Sequence, residues 1–368
     1  MTGDVILVIV VVTALMFDFT NGFHDTANVV AASISTRAMP PRVAVVFAAI
    51  FNFVGAFLSL KVAATVGQDI VNSSTVTMTV VFAGLIGAIA WNLATWYFGL
   101  PSSSSHALIG GLVGAAFAAD GASAISGEGL LGKVLIPGLI APVLAFVVAG
   151  TAIITAYVIV RRQRPGPVNH GYRLGQWLSS GLLALSHGTN DAQKTMGIIT
   201  LALVAHGNIS PDHFYVPDWV VVTSASAIAL GTWTGGWRII RTMGSRIINM
   251  DPAQGFSSQG AGAAVILAAS HAGYPLSTTH VISGGVMGAG AAKRFSAVRW
   301  GVAGNIVFAW ILTIPAAAII GGIVYGVTEI FGASSALGPV IVAGVILVGS
   351  AALFIRRAQG QGGLEATA

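Results

Sequence analysis

Long apolar runs recur from one end of the chain to the other. Runs close to or longer than the roughly 20 residues that cross a bilayer lie at about 43–60, 76–99, 131–160, 218–237, 300–328 and 336–355. Polar and apolar positions do not alternate within them, which argues against a membrane β-barrel. The pattern therefore predicts an all-α polytopic membrane protein.

Composition agrees with this prediction. The 368 residues are 55% apolar and 8% charged, too few charges to cover the surface of a soluble protein of this length. The absence of cysteine excludes zinc–thiolate and iron–sulfur centres. The first apolar run, Val5 to Phe17, has no basic leader or small-residue cleavage pattern. We therefore expect it to be a retained helix and not a signal peptide.

Basic residues predict the orientation of the chain. Most Lys and Arg residues fall in short loops at 37–42, 161–173, 238–246, 293–299 and 356–357, and the loops between them carry acidic residues. By the positive-inside rule the basic loops are cytoplasmic, so the N-terminus lies outside and the C-terminus inside. This placement explains the net charge of +5 by orientation and not by nucleic-acid binding.

One motif occurs twice with the same spacing. Pro101–Gly114 and Pro275–Gly288 both match P-x-S/T-S/T-S/T-H-x3-G-G-x2-G. The hydroxyl positions are Ser103, Ser104, Ser105, Ser277, Thr278 and Thr279. Hydroxyls beside the free N–H groups at a helix start can bind an oxyanion, and the glycines allow close helix packing. A single copy would fit an ordinary helix cap equally well, and the duplication favours a functional site.

The stretches on either side of the second motif, 259–273 and 276–293, are short for complete crossings, and acidic residues flank the corresponding stretch around the first. Re-entrant hairpins with tips near 101–106 and 275–280 fit their length and the flanking charges. Two full spans would leave the loops on the same sides, so charge does not decide between the two arrangements. We prefer hairpins because half-helices that meet in the membrane form the substrate sites of many transporters.

Each half then contains span, span, hairpin and span, an odd number of crossings that inverts the second copy. The predicted units are a first repeat at 1–160, a basic cytoplasmic loop at 161–172, a second repeat at 173–330, an extra transmembrane helix at 331–357 and a disordered tail at 358–368. Inverted repeats of this kind support alternating access.

Four charged residues fall inside the predicted membrane segments: Asp18, Asp25, Asp191 and Lys194. Such residues are costly in a bilayer and are functional candidates. Two similar segments, N-G-F-H-D-T-A-N at 21–28 and H-G-T-N-D-A-Q-K at 187–194, contain three of the four. Aligned by their glycines, they pair Asn21 with His187, His24 with Asn190, Asp25 with Asp191 and Asn28 with Lys194.

Helical spacing puts Asp18, Asn21, Asp25 and Asn28 on one face. We expect the helices to break at Gly22 and Gly188 and to free carbonyls for a cation. Asp25, Asp191, His24, Asn190 and Asn21 are the candidates for the coupling cation.

Simpler interpretations stay open for several of these residues. Asp191 and Lys194 have the i,i+3 spacing of a neutralising ion pair. Asp18 fits a cap on a half-helix. His106 and His280 fit a structural hydrogen bond as well as proton transfer.

The two segments and both hydroxyl motifs together resemble the inorganic phosphate transporter family, in particular bacterial Pit-type low-affinity phosphate permeases. The likeness covers nearly the whole chain. It implies a secondary transporter with inverted repeats that moves phosphate with a cation across the cytoplasmic membrane of a bacterium.

The sodium-coupled branch of that family carries a motif similar to G-A-N-D-V-A-N in each half. Asp25, Asp191 and Asn28 match it, whereas His24 and Lys194 depart from it. The departures favour proton coupling. The resemblance also implies divalent cations as co-substrates in a metal–phosphate complex, and it includes a sulfate-permease branch.

We therefore expect a proton-coupled phosphate symporter and not an enzyme, without a cofactor or resident metal. The candidate substrate-binding residues are the six hydroxyl positions with Asn28 and Lys194. Sodium coupling, sulfate transport and an anion channel are the alternatives. An intramembrane phosphatase would need a nucleophile or metal cage, against which the two symmetric copies argue. The sequence does not decide between a monomer and a homodimer.

Overall fold

A computed structural model describes residues 2–72, 76–332, 337–345 and 348–349. This part of the chain is helical apart from its connections and one isolated bridge between Val71 and Ile125. The predicted all-helical class is confirmed. Residues 337–345 of the predicted extra helix are helical, and the predicted tail at 358–368 lies outside the described residues.

The helices before residue 161 are α1 (Thr2–Ser35), α2 (Pro41–Gly55), α3 (Lys61–Gln68), α4 (Met78–Phe98), α5 (Ser104–Asp120), α6 (Gly127–Gly129) and α7 (Ile136–Val160). A π-helical turn, Leu130–Leu135, joins α6 to α7. The helices after residue 164 are α8 (Pro165–His206), α9 (Asp218–Thr234), α10 (Trp237–Arg241), α11 (Pro252–His271), α12 (Thr278–Lys293) and α13 (Trp300–Glu329).

Several helices are suited to a membrane. Gly3–Ser35, Met78–Phe98, Ser104–Ala124, Gly127–Val160 and Trp300–Glu329 are long and apolar enough to cross one. Large apolar side chains point outward from α7 and α13, such as Leu139 (74% exposed) and Ile311 (71% exposed), whereas many Ser, Thr and Asn side chains are buried. A protein whose outer surface contacts lipid has this distribution, because its polar groups must find partners inside. The chain is therefore an integral membrane protein.

Three predicted elements differ in length. The windows at 43–60 and 218–237 contain the shorter helices α2, with 15 residues, and α9, with 17. The connection predicted at 161–172 is confined to 161–164, because α8 begins at Pro165. Proline suits the first position of a helix, where its missing N–H has no helical partner to lose.

The helix breaks predicted at Gly22 and Gly188 are wrong, since α1 and α8 run unbroken through both glycines. Asp18 therefore lies inside a helix and does not cap one. The two glycines permit close helix crossings instead. A Cβ atom on Gly22 would lie 2.4 Å from the carbonyl oxygen of Ile228, and one on Gly188 would lie 2.1 Å from that of Asn52.

Helix packing in one half matches that in the other. α1 packs on α9 as α8 packs on α2, and α4 packs on α5 as α11 packs on α12. α5 also packs on α13, the last long helix of the second half, while α12 packs on α7, the last of the first half. Each half therefore supplies a packing surface that the other half uses.

Glycines of the repeated motif form these crossed contacts. A Cβ on Gly114 of α5 would lie 2.0 Å from the carbonyl oxygen of Ala318 on α13. A Cβ on Gly288 of α12 would lie 2.1 Å from that of Phe146 on α7. The expectation that the glycines allow close helix packing is confirmed.

A group of polar contacts, here called the clasp, ties the start of α11 to the end of α7 and the end of α12. Asp251 caps α11 by accepting from the N–H of Gln254 at 2.9 Å, and its Oδ2 accepts from the Tyr157 hydroxyl at 2.6 Å and the Lys293 ammonium at 2.9 Å. Burial raises the pKa of Asp251, but the Tyr157 hydroxyl and Lys293 outweigh it and hold the pKa below its usual range.

We expect Gly288→Ala to lower the free energy of unfolding by about 1–3 kcal/mol, because the added methyl group forces α12 away from the backbone of α7. Thermal unfolding in detergent measures the change. The matched control is Gly304→Ala on α13, where no atom lies within 4 Å of the added Cβ. Equal melting temperatures for the two variants would contradict the role of Gly288 in packing.

Asp251→Asn should lower stability at neutral pH, and the deficit should shrink in acid. The lowered pKa of Asp251 means that its carboxylate stabilises the fold above the pKa of the unfolded chain, about 3.9. That contribution is lost as pH falls through the folded-state pKa. Melting temperatures of both proteins from pH 7 down to about pH 2 test this. A deficit that grows on acidification would show that the charge of Asp251 does not stabilise the clasp.

Candidate functional site

Both hydroxyl motifs form helix starts, as the sequence predicts. Ser103 is the N-cap of α5 and accepts from the N–H of His106 at 3.0 Å. Ser277 is the N-cap of α12 and accepts from the N–H of His280 at 3.3 Å. The ordinary capping role therefore belongs to the first hydroxyl of each motif. The second and third hydroxyls are free to contact other helices.

These other hydroxyls bring the two helix starts together at Asp25. Ser104 donates to Asp25 Oδ2 at 2.5 Å, and Thr279 donates to Asp25 Oδ1 at 3.2 Å. Ser105 donates to the carbonyl of Leu276, just before α12, at 3.1 Å. All these hydroxyl residues are at most 2% exposed. One carboxylate of α1 thus joins the starts of α5 and α12 in a cluster closed to solvent.

Asp191 and Lys194 of α8 lie in the same cluster. The Lys194 ammonium is 2.5 Å from Asp191 Oδ1 and donates to Ser105 Oγ at 2.5 Å and to the carbonyl of Leu276 at 2.8 Å. The predicted ion pair is therefore present. Lys194 also reaches the hydroxyl of the other half's motif, which simple neutralisation of Asp191 does not require.

The contacts of the two halves correspond pair by pair. Thr278 donates to Asp191 at 3.4 Å as Ser104 donates to Asp25. Asn28 donates to Thr279 at 2.9 Å, and its counterpart Lys194 donates to Ser105. The aspartates of α1 and α8 therefore each accept from the motif of their own half. One turn later, Asn28 of α1 and Lys194 of α8 each contact the motif of the other half.

Asn21 also lies in the cluster, where its Oδ1 accepts from Ser104 at 2.7 Å. His24 and Asn190 lie at its edge. His24 Nδ1 is 2.8 Å from Asp25 Oδ1, and its Nε2 is 3.2 Å from Thr95 Oγ1.

Asn190 donates to Ser270 at 2.8 Å and to the carbonyl of Tyr274 at 3.1 Å. These contacts hold the end of α11 and the segment before α12 against α8. The Asn190 amide nitrogen therefore supports the helix start, while its Oδ1 is buried without a partner among the described residues, so its assignment to the coupling cation stays a prediction.

His187 is a site residue that the sequence aligned with Asn21 but did not assign. Its Nε2 lies 3.2 Å from Asp191 Oδ2, and its Nδ1 faces Asn52 Oδ1 at 3.2 Å. The Asn52 amide nitrogen donates to Thr232 at 2.8 Å, so its oxygen is left to accept from His187 Nδ1. The i,i+4 spacing of His187 and Asp191 was a signal for this contact.

This arrangement also points to a cation. With Nδ1 protonated, the lone pair of a neutral His187 would face the Asp191 carboxylate, which is unfavourable unless a proton or metal ion lies between them. One ligand atom each from Asp25, His187 and Asp191 lie within 4.8 Å of one another, close enough to hold one ion. The donor set of two carboxylates and an imidazole suits a metal cation.

His106 and His280 contact each other behind the two helix starts. Their ring centroids are 4.7 Å apart and nearly perpendicular, and the His280 ring lies 4.0 Å from that of Trp310. Both histidines are almost fully buried. They form an aromatic contact between α5 and α12 and extend it to α13.

Comparison with known proteins agrees with this architecture. A model of the phosphate transporter family matches residues 21–321. A "Probable low-affinity inorganic phosphate transporter" of Mycobacterium leprae (strain TN) is 49% identical over 351 residues, covering 95% of this chain and 84% of the relative. A protein of the same description from Rhizobium meliloti (strain 1021) is 50% identical over 321 residues, covering 87% of this chain and 96% of the relative.

A solved structure described as "The sodium-dependent phosphate transporter" superposes with a TM-score of 0.80. Its sequence is 24% identical, and the match covers 88% of this chain and 99% of that structure. This similarity supports the fold.

Lys194→Met should be strongly destabilising, by about 3–5 kcal/mol, because it leaves the Asp191 carboxylate buried without its cation. The double variant Asp191→Asn/Lys194→Met removes both charges and should recover much of that loss. Melting temperatures of the single and double variants in detergent measure the difference. A double variant no more stable than Lys194→Met would show that the ion pair does not dominate this part of the cluster.

Proposed function

This chain belongs to the phosphate transporter family, and we propose that it is a symporter that imports inorganic phosphate with protons across a bacterial cytoplasmic membrane. One observation carries the proposal. Two hydroxyl-bearing helix starts, one from each half, meet the buried residues Asp25, Asp191 and Lys194 in a single cluster. The names of the relatives support phosphate as the transported anion.

Phosphate binds between the starts of α5 and α12. Ser104, Ser105, Thr278 and Thr279 donate hydrogen bonds to its oxygens, together with backbone N–H groups of the first helical turns. Lys194 and Asn28 complete the pocket with an ammonium and an amide donor. Ser103 and Ser277 keep the helix starts in shape as caps. In the closed cluster, hydroxyls that would bind phosphate donate to carboxylates instead.

This exchange of hydrogen-bond partners couples the anion to a cation. When Ser104 and Thr279 turn to phosphate, Asp25 loses two donors and gains affinity for a cation. A cation on Asp25 in turn releases these hydroxyls for phosphate. The two ligands therefore raise each other's affinity by the same factor.

Charge balance requires the same coupling. Asp25 and Asp191 bring two negative charges against the one positive charge of Lys194. A phosphate anion would add negative charge to a cluster removed from water, which is costly. Coupling cations bound with the phosphate reduce that cost.

Transport proceeds by alternating access of the two repeats, 1–160 and 173–330, to the two sides of the membrane. The matching packing of the halves supports a duplication. The position of Asp25 well inside the 34-residue helix α1 supports hairpin tips within the membrane. With the N-terminus outside and the C-terminus inside, the repeats insert in opposite orientations.

Sodium or a divalent metal ion is the second candidate for coupling. The ligand atoms of Asp25, His187 and Asp191 favour it, as does the description of the solved structure with the same fold as a sodium-dependent transporter.

Uptake of labelled phosphate into proteoliposomes tests the proposal, with proton and sodium gradients imposed independently and with or without Mg²⁺. We expect accumulation above equilibrium with an inward proton gradient alone and no drive from sodium alone. Accumulation driven only by sodium would replace the proton as the coupling ion. Flux without accumulation would indicate a channel, and displacement by sulfate more readily than by unlabelled phosphate would reassign the anion.

The same assay should include Thr279→Ala. Its apparent affinity for phosphate should fall about 10- to 100-fold, because a hydrogen bond to a charged group contributes about 1.5–3 kcal/mol. The matched control is Ser283→Ala, one turn later on α12, whose hydroxyl contacts the Met243 sulfur at 3.6 Å and not the cluster. Equal affinities in the two variants would contradict a phosphate-binding role for Thr279.

A further inference from the structure

Asp18 is a buried acid that the proposed phosphate site leaves without a role. It lies on α1 one turn before Asn21 and is 0% exposed. Neither of its carboxylate oxygens has a hydrogen-bond partner among the residues that the structure describes. The lack of hydrogen-bond partners distinguishes Asp18 from the other two buried aspartates, Asp25 and Asp191.

Asp25 and Asp191 have the opposite surroundings. Donors to Asp25 include Ser104 and Thr279, and those to Asp191 include the Lys194 ammonium. Such contacts stabilise a carboxylate in its ionised form. The two acids of the repeated segments are therefore surrounded as anions, whereas Asp18 is not.

An ionised carboxylate without a donor is very costly inside a membrane, and the protonated acid is neutral. Asp18 is therefore neutral in the arrangement seen here. A neutral acid at this position has taken up a proton that it can release only when it gains hydrogen-bond donors or water.

Two hydroxyl or amide groups could serve as donors to the ionised form. The Thr195 hydroxyl of α8 acts on Asp18 directly, and Asn21 lies one turn later on the same face of α1. Both the Thr195 hydroxyl and Asn21 Nδ2 lack partners within the described part of the chain. Asp191 and Lys194 of α8 are the charged groups whose field acts on Asp18. Helix α4 carries only Tyr97, in its last turn, while α2 and α9 carry only Arg42 and Asp218, both in their first turns. On α1 itself, His24 and Asp25 lie about two turns away.

Asn21 connects Asp18 to the anion site, because its Oδ1 accepts from Ser104, which also donates to Asp25. Ionised Asp18 would draw the Asn21 amide toward itself and change the partner available to Ser104. We propose that Asp18 is a second proton-binding carboxyl, beside the cation site at Asp25, and that it carries a coupling proton. It takes the proton from the outer solution and releases it to the cytoplasm in each cycle, and no bond to phosphate forms or breaks.

This inference rests on the proposed symport of phosphate with protons. Its test is Asp18→Asn, which keeps the shape of the protonated acid but cannot release a proton. An imposed difference of one pH unit supports about tenfold accumulation per coupled proton, since it is equivalent to about 1.4 kcal/mol. Asp18→Asn should lose the roughly tenfold factor that one proton contributes and still exchange labelled for unlabelled phosphate at equal concentrations. Thr13→Ala is the matched control, because among the described residues the Thr13 hydroxyl bonds only to the carbonyl of Ile9 in its own helix.

A second measurement does not depend on transport. The infrared spectrum of the wild-type protein at neutral pH should contain the carbonyl stretch of a protonated carboxylic acid. That band should persist in Thr13→Ala and in Asp18→Glu, and disappear in Asp18→Asn. Asp18→Glu keeps the carboxyl group and should also retain proton-driven accumulation. This result would show that the loss in Asp18→Asn comes from the missing carboxyl and not from misfolding of a variant at this position.

The possible failures are distinguishable. If Asp18→Asn accumulates phosphate as the wild type does, or keeps the infrared band, the assignment to Asp18 is wrong while the proposed symport stands. If the wild type shows no proton-driven accumulation, the proposed coupling is wrong, and with it the role of Asp18. If a folded Asp18→Asn protein loses both exchange and accumulation, Asp18 is part of the phosphate pocket and its role as proton carrier is overturned.

Discussion

The structure depends on satisfying polar and charged groups where water is absent. Asp25, Asp191 and Lys194 are all at most 1% exposed, and each is stabilised by residues from more than one helix. Charge buried in this way requires partners at fixed positions. The continuous helices α1 and α8, the glycine crossings and the two capped helix starts together provide those positions. Removing one helix start would leave carboxylates without donors, so the cluster and the fold are interdependent.

Much of this arrangement was predictable from sequence because it was built twice. Duplication of the hydroxyl motif and of the segments around Asp25 and Asp191 identified residues that the fold brings together. Helical spacing gave Asn21, Asp25 and Asn28 a common direction, and they do share the cluster. The helix caps and the side chains that share one face of α1 were predicted correctly, because both depend on residues close together in sequence.

The sequence was less informative where partners are distant along the chain. Glycine in a membrane helix fits a break and a close crossing equally well, and only the carbonyls of Ile228 and Asn52 showed that Gly22 and Gly188 serve crossings. Asn190 stands beside Asp191 in sequence, yet successive helical residues point in different directions, and it contacts Ser270 and Tyr274. His187 became a candidate once Asn52 fixed the orientation of its ring. Local spacing indicates the contact of His187 with Asp191 but not these contacts between helices.

The crossed packing of α5 on α13 and of α12 on α7 bears on the origin of the chain. Either half on its own would present the glycine face of its motif helix to lipid, with its matching helix absent. An ancestral gene that encoded one half could have formed these interfaces only by pairing two copies of its product. Fusion of the two copies would then have allowed them to diverge. Asn28 and Lys194 occupy equivalent positions and differ, and a pair of identical subunits cannot acquire such a difference.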